Sequence, residues 1–241
     1  MLDKKQRLDQ ELTVRGLTPT RSQAESWIKM GKVVVDGRVA SKPGTFVRSD
    51  SVIELVTDEQ YVSRAGLKLA SVARILNLEF KDKIVLDVGS STGGFTDYAL
   101  QHGARKVYAV DVGTDQLHPS LHGHPRIELH EKTDIRDFRM SETPDVVVID
   151  VSFISLQAIL PAVARLCGPQ TMIAAMAKPQ FEADSKEASK GVIKNDTMRR
   201  NILKRLEQFL REHFVIIDKA DSEVAGAKGN RERFYKLKRL S

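Results

Sequence analysis

Val85-Leu86-Asp87-Val88-Gly89-Ser90-Ser91-Thr92-Gly93-Gly94-Phe95-Thr96 sets the architecture of this chain. An apolar run reaches an acid, a glycine-rich turn follows, and a helical pattern continues to Leu100. Glycine takes positive φ and lets a backbone come close to a ligand, so a strand turning tightly into a helix makes a nucleotide-type pocket. Roughly twenty residues on, Val107-Tyr108-Ala109-Val110 ends in Asp111, at the distance where an acid receives ribose hydroxyls. Read alone, the glycines also fit an ordinary strand–helix turn. The second acid favours a nucleoside-containing cofactor.

The turn departs from the Gly-x-Gly-x-x-Gly spacing that cradles a pyrophosphate, and the chain has no Gly-x-x-x-x-Gly-Lys-Ser/Thr loop. Asp87 would repel a phosphate but suits a cationic methionine group. S-adenosylmethionine, which carries an ammonium and a sulfonium and no phosphate, is therefore the expected cofactor. Its candidate contacts are Asp87, Gly89, Ser90, Ser91, Thr92, Gly93, Gly94, Phe95 and Asp111. Asp134, after the third strand, could take the adenine amino group or serve as a turn acid.

The 241 residues suffice for one large domain and a small one. Hydrophobic content of 41% and charged content of 29% are those of a globular protein. The net charge of +6 matters only if the cations cluster on one face. The single cysteine, Cys167, excludes an internal disulfide and reads as a core residue. His118, His122 and His124 lie in a polar loop and read as surface residues, and no metal is expected. There is no leader-like apolar segment and no run of about eighteen apolar residues, so a cytoplasmic protein with no membrane span is expected.

Residues 1–57 read as a compact module, 58–62 as a linker and 63–241 as a larger domain. In the module, Lys5–Val14 is a short helix with Leu8 and Leu12 on one face, ended at Gly16. Thr20 and Gln23 fit a capping box for a second helix through Met30, with Ala24, Trp27 and Ile28 inward. Gly31 ends that helix, Val33 to Val39 turns at Asp36-Gly37 as a hairpin, and Val52–Leu55 is a further strand. Arg7, Arg15, Arg21, Lys29, Lys32, Arg38 and Lys42 punctuate this region. Gly31-Lys32-Val33-Val34-Val35-Asp36-Gly37 after two short helices resembles the S4 RNA-binding domain, and the resemblance makes these residues, with Arg64 beyond the linker, candidate contacts to structured RNA.

In the larger domain a helix at Ser63–Leu76 precedes an alternation of strands and helices. Strands are expected at Ile84–Val88, Val107–Asp111, Ile127–Leu129, Val146–Asp150, Met172–Ala177, Phe214–Asp218 and Arg233–Leu240. Helices are expected at Phe95–Gln101, up to Leu166, and at Thr197–His213. Continuous apolar strands between helices imply an α/β, doubly wound, mostly parallel Rossmann-like sheet, with the last two strands as an antiparallel hairpin. The polar stretch from Glu182 to Asn195, which contains Gly191, reads as a loop, and the basic run Lys228, Arg231, Arg233, Lys236, Lys238, Arg239 as a candidate extension of the RNA face.

Ligands of such sheets sit outside the carboxyl ends of the strands. Asp150 and Lys178 close successive strands there. A lysine ending an apolar strand loses hydration, which favours the neutral amine and makes it a candidate general base for a hydroxyl. Lys68, on the helix entering the domain, could act as a second cation.

Five motifs in order, Ser63-Arg64-Ala65-Gly66-Leu67-Lys68-Leu69, Asp87 to Phe95, Asp150-Val151-Ser152-Phe153-Ile154-Ser155-Leu156, Lys178-Pro179-Gln180-Phe181-Glu182 and Gly229-Asn230-Arg231-Glu232, resemble the TlyA family. That family joins an S4 domain to an FtsJ-like methyltransferase domain. The resemblance covers essentially the whole chain and implies ribose 2′-O-methylation of ribosomal RNA, of a cytidine in the small subunit, the large subunit or both. It also implies a Lys-Asp-Lys-Glu tetrad, which falls on Lys68, Asp150, Lys178 and Glu232, with Lys178 held by Asp150 and Glu232. Arg231 and Arg233 make the last motif unusually basic, and Glu223 competes for its place. The family is also associated with hemolysis, but this composition does not support a pore. A binding module without catalysis is the other alternative. No motif requires a protein partner.

Overall fold

The computed structural model describes residues 5–18, 20–56, 61–183, 192–193, 195–226 and 229–240. The module begins with β1 (Gln6–Arg7), α1 (Leu8–Val14) and α2 (Arg21–Lys29). It continues with β2 (Val33–Val35), β3 (Arg38–Ala40), β4 (Phe46–Val47) and β5 (Ile53–Leu55). β2 pairs antiparallel with both β3 and β5, and Asp36 and Gly37 turn the hairpin at φ 48° and 76°. Such φ values favour Asp-Gly because this hairpin turn needs both central residues in the left-handed region.

The first helix starts at Leu8, not Lys5, because Gln6 and Arg7 pair with Val47 and Phe46 as a two-stranded ladder. Leu8 and Leu12 are buried as the spacing requires. Half of the expected capping box forms. Thr20 Oγ1 accepts from the Gln23 backbone N–H at 3.2 Å, while the Gln23 side chain donates to the Tyr61 carbonyl at 2.6 Å instead of reaching back. That bond ties the module to the larger domain. Tyr61 and Val62, expected in the linker, are packed rather than loose. Tyr61 is buried against Tyr98, and the Val62 N–H donates to Asp97 Oδ2 at 2.8 Å.

The larger domain follows the expected alternation: α3 (Arg64–Ala73), β6 (Ile84–Val88), α4 (Gly94–Gln101), β7 (Lys106–Val110), β8 (Ile127–His130) and β9 (Val146–Ile149). Then come α5 (Leu156–Leu166), β10 (Met172–Ala177), α6 (Pro179–Glu182), α7 (Asp196–His213), β11 (Phe214–Asp221) and β12 (Arg233–Arg239). One seven-stranded sheet runs β11-β12-β10-β9-β6-β7-β8. It is parallel except for β12, which is antiparallel to both neighbours and forms the expected terminal hairpin with β11.

The central strands read as unbroken apolar runs because helices cover both of their faces. On one face Val85, Val107, Val148, Ala174 and Phe234 pack in a core that continues through Leu67 and Leu69 into Leu8, Leu12 and Trp27 of the module. On the other, Leu86, Tyr108, Val147, Ile149, Ala175 and Tyr235 pack with Leu160 of α5 and Leu206 of α7. The chain leaves β6 in one direction through β7 and β8 and in the other through β9 and β10. This reversal opens a crevice outside the carboxyl ends of β6, β7 and β9.

Candidate active site

Neighbouring strands present one chemical group each at this sheet edge. Asp111 follows β7, Gly89 follows β6, Asp150 follows β9 and Lys178 follows β10. Because β12 runs the other way, Glu232, just before it, falls at the same edge. The pairing of Ala177 with Arg233 sets Lys178 across from Glu232. Strands lie about 4.8 Å apart, so residues far apart in sequence become near neighbours.

Two buried ion pairs result. Lys178 Nζ lies 2.5 Å from Asp150 Oδ1 and donates to Ser152 Oγ at 2.8 Å. Lys68 Nζ, from α3, lies 2.6 Å from Glu232 Oε2, with side chains only 9% and 2% exposed. The four expected residues form two pairs, and the pairing differs from the expectation: Glu232 holds Lys68, not Lys178. Glu223 is exposed, and its backbone N–H donates to Ser71 Oγ at 3.4 Å. Arg231 and Arg233 turn to the opposite side of the strand from Glu232. There they meet Asp221, at 3.6 and 2.6 Å.

Beside this cluster lies a cavity of about 360 Å³, lined by Val88, Gly89, Ser91, Val110, Asp111, Asp134, Asp150, Ser152 and Phe153 among others. Its apolar wall suits a flat base, and its three acids suit a cation and disfavour phosphate. Asp111 is already oriented, accepting from the Ser91 N–H at 2.8 Å and the Gly113 N–H at 2.7 Å, with lone pairs left for hydroxyls. Asp134 is on the wall but is gripped by Arg136, which holds its carboxyl below the usual range. It acts in part as the turn acid that was its other reading.

Asp87 is fully buried below the turn. Oδ2 accepts from Thr96 Oγ1 at 2.7 Å, while Oδ1 and the nearby Ser90 Oγ have no partner among the described residues. Burial, with the Asp150 and Asp111 charges adding to it against the Thr96 bond, pushes the Asp87 carboxyl up to about 7. Buried polar groups without partners are rare and mark sites that await one. Neither Asp87 nor Ser90 lines the cavity, so both would act on a cationic ligand such as S-adenosylmethionine from beneath the turn, while Asp111, Asp134 and Asp150 lie on the wall itself.

Several residues expected as contacts have packing roles, and Gly89 both packs and lines the cavity. A Cβ on Gly89, at φ 81°, would meet the Asp150 carbonyl at 2.6 Å, so this glycine lets two strand ends close up. Gly94 is pressed against Ser63 and Ala65 of α3, and Gly93 against Leu117 and Leu121. Phe95 is core, packed on Phe234, and Thr92 is exposed. None of these last four lines the cavity. Gln116, Thr133, Ser152 and Phe153 do, and were not anticipated as contacts. Phe153 carries a signal visible only in three dimensions: it is 91% exposed at φ 65°, tilted against Phe181 at 5.1 Å.

The module's cations divide. Arg7 and Arg21 bind Asp9 at 2.7 and 3.0 Å, and Arg15 binds Glu11 at 2.8 Å and the Ser49 and Ser51 carbonyls. Burial alone would raise the Asp9 carboxyl, but the bonds from Arg7 and Arg21 outweigh it and hold it below the usual range. These arginines brace the fold. Lys29, Lys32, Arg38 and Lys42 are exposed, and Arg64 is half-buried at the start of α3. The basic run near the C-terminus is committed too: Lys236 to the Leu76 and Asn77 carbonyls, Lys238 to Gln170, Arg239 to the Cys167 carbonyl. Lys228 and most of the loop after Glu182, including Gly191, lie outside the described residues. Burial pushes the Cys167 thiol up to about 12, as a core residue requires. His118 and His122 are exposed.

The sequence matches the FtsJ-like methyltransferase family over residues 61–239 and the S4 domain over residues 6–53. A Mycobacterium tuberculosis protein named 16S/23S rRNA (cytidine-2′-O)-methyltransferase TlyA is 38% identical over 96% of this chain and 89% of its own. A Brachyspira hyodysenteriae protein named hemolysin A is 39% identical over 94% and 97%. A solved chain from Streptococcus thermophilus superimposes with a TM-score of 0.72 at 36% identity, covering 98% of this chain and 89% of that one. The chain belongs to the FtsJ-like methyltransferase family and, with its leading S4 domain, to the TlyA group within it.

Proposed function

We propose that the protein is an S-adenosylmethionine-dependent ribose 2′-O-methyltransferase acting in the cytoplasm on ribosomal RNA, with a cytidine as target nucleoside. The observation that carries the reading is the pair of buried lysine–carboxylate contacts beside an acidic cavity at one sheet edge. The name of the mycobacterial relative supports the choice of substrate and nucleoside.

When bound, S-adenosylmethionine supplies an electrophilic methyl group on a positively charged sulfur. Asp111 would hold its ribose, the apolar wall would take the base, and Asp87, buried beneath the turn, would favour its positive charge. Lys178 Nζ accepts the proton of the substrate 2′-hydroxyl, and Asp150 holds the ammonium that forms. Lys68, on α3 and kept in place by Glu232, adds positive potential where the oxygen gains negative charge. The exposed Phe153 ring offers a stacking surface to an unpaired base, the usual way single-stranded RNA is held. Lys29, Lys32, Arg38 and Lys42 on the S4 domain, with Arg64, meet phosphates of structured RNA.

No helix among the described residues is long and apolar enough to cross a membrane. The test is incubation of the purified protein with undermethylated ribosomal subunits and labelled S-adenosylmethionine, with mapping of the modified nucleotide. A 2′-O-methylcytidine in ribosomal RNA is expected. Label on a base nitrogen or carbon, or none at all, would overturn the reading.

A further inference from the structure

The Lys178 amine is bounded on three sides. Asp150 Oδ1 lies at 2.5 Å, Ser152 Oγ at 2.8 Å, and the Phe181 ring at 6.0 Å from its centroid. Once the ion-paired ammonium has given a proton to solvent, the amine that acts as base has two N–H bonds and one lone pair, arranged tetrahedrally about the nitrogen with its carbon. Two acceptors that take both hydrogens leave the lone pair a single direction. We infer that Ser152 is a positioning residue for the transfer reaction, its hydroxyl oxygen serving with Asp150 to aim the Lys178 lone pair at the substrate hydroxyl.

Asp150 alone leaves the amine free to rotate about its Cε–Nζ bond, with the lone pair sweeping a cone. The second acceptor removes that freedom. In the step itself the O–H bond of the substrate breaks and its electron pair stays on oxygen. The lone pair of Nζ forms the new N–H bond, and the ammonium then has three hydrogens directed at Asp150, Ser152 and the substrate oxygen. Ser152 is held for this purpose. It sits between Asp150 and Phe153 in the loop that ends at Ser155, the N-cap of α5. Glu182, four residues after Lys178, accepts from the Ser155 hydroxyl at 2.5 Å and the Leu156 N–H at 2.8 Å. The loop bearing Ser152 and the segment bearing Lys178 are thereby joined at a second point.

This inference rests on Lys178 being the base, and the experiment separates the two. Turnover on undermethylated ribosomal subunits and cofactor affinity by calorimetry are measured for wild type, Ser152→Ala, Ser152→Thr and Lys178→Ala, with thermal melting to confirm folding. Misdirection of a reacting group costs up to about 100-fold, so Ser152→Ala is expected to lower kcat by about 10- to 100-fold. Because Ser152 also lines the cavity, kcat is read at saturating cofactor, and Ser152→Thr, which keeps the hydroxyl, recovers most of the loss. Wild-type kcat in Ser152→Ala with Lys178→Ala inactive overturns the role of Ser152 and leaves the base in place. A loss in Ser152→Ala that disappears at saturating cofactor, or that threonine does not rescue, also overturns it. Activity in Lys178→Ala overturns the base and this inference together.

Discussion

Asp87 makes cofactor affinity depend on pH in a way that can be calculated. Its carboxyl, displaced from 3.8 to about 7 first of all by complete burial, is largely protonated at pH 6 in the free protein. A cation bound above the turn favours the carboxylate form of Asp87, whose Oδ1 has no partner among the described residues. Affinity is then reduced by 1 + 10^(7 − pH), a factor of about 11 at pH 6 and about 1.1 at pH 8, so it rises roughly tenfold, or about 1.4 kcal/mol, across that interval. Binding at pH 6 releases about 0.9 proton from this group by the same relation. The assay is calorimetric titration with S-adenosylhomocysteine at pH 6, 7 and 8, in buffers of different ionisation enthalpy. Asp87→Asn cannot ionise and serves as reference. The ligand's own amine titrates alike with both proteins, so the ratio of their affinities isolates Asp87. A ratio that stays constant from pH 6 to 8, with equal proton release for both proteins, would refute the argument that this acid is coupled to the bound cation.

The same displacement acts on stability. A folded-state value raised above the unfolded one stabilises below about pH 4 and loses that contribution as pH rises to about 7, roughly 4 kcal/mol in all. Denaturant melts of the ligand-free protein should therefore show wild type losing stability relative to Asp87→Asn between pH 4 and 7, and parallel curves would contradict this. Removing one member of a buried ion pair strands the other, at about 3–5 kcal/mol. Glu232→Ala should accordingly lose stability on that scale, with Lys68→Met/Glu232→Ala regaining much of it without regaining activity, whereas Glu223→Ala should melt like wild type. Lys178→Ala should lower turnover by at least about 100-fold, the lower range for general base catalysis, with cofactor affinity kept in calorimetry. Lys32→Glu/Arg38→Glu should weaken RNA binding and flatten its salt dependence in filter-binding titrations. Arg15→Ala should instead lower the melting temperature with little change in RNA affinity.

Fold class was readable because the signals that carry it are local. Apolar runs of strand length alternating with helical periodicity, a glycine turn, and acids at strand ends are all contained within short windows. The order of the motifs and the resemblance they carry extended that reading to Lys68, Asp150, Lys178 and Glu232. The β1–β4 ladder was hidden because two-residue strands have no period of their own. The role of Phe95 was hidden because an aromatic after a glycine turn reads the same whether it faces a ligand or a core.

What the chain's sequence determined by itself was therefore the set of elements, their order and the identity of the reactive groups. Only the tertiary structure decided which group touches which. Glu232 pairs with Lys68 because an antiparallel last strand brings it to an edge that α3 also reaches. Ser152 meets Lys178 across 26 positions of chain because β9 and β10 end side by side. Arg7, Arg15 and Arg21 were equal to Lys32 and Arg38 as letters, and became unequal once the fold placed Asp9 and Glu11 beside them. Charge and type are properties of a residue. Partnership depends on distance, and distance between remote residues is set by strand order, register and packing, which no local pattern encodes.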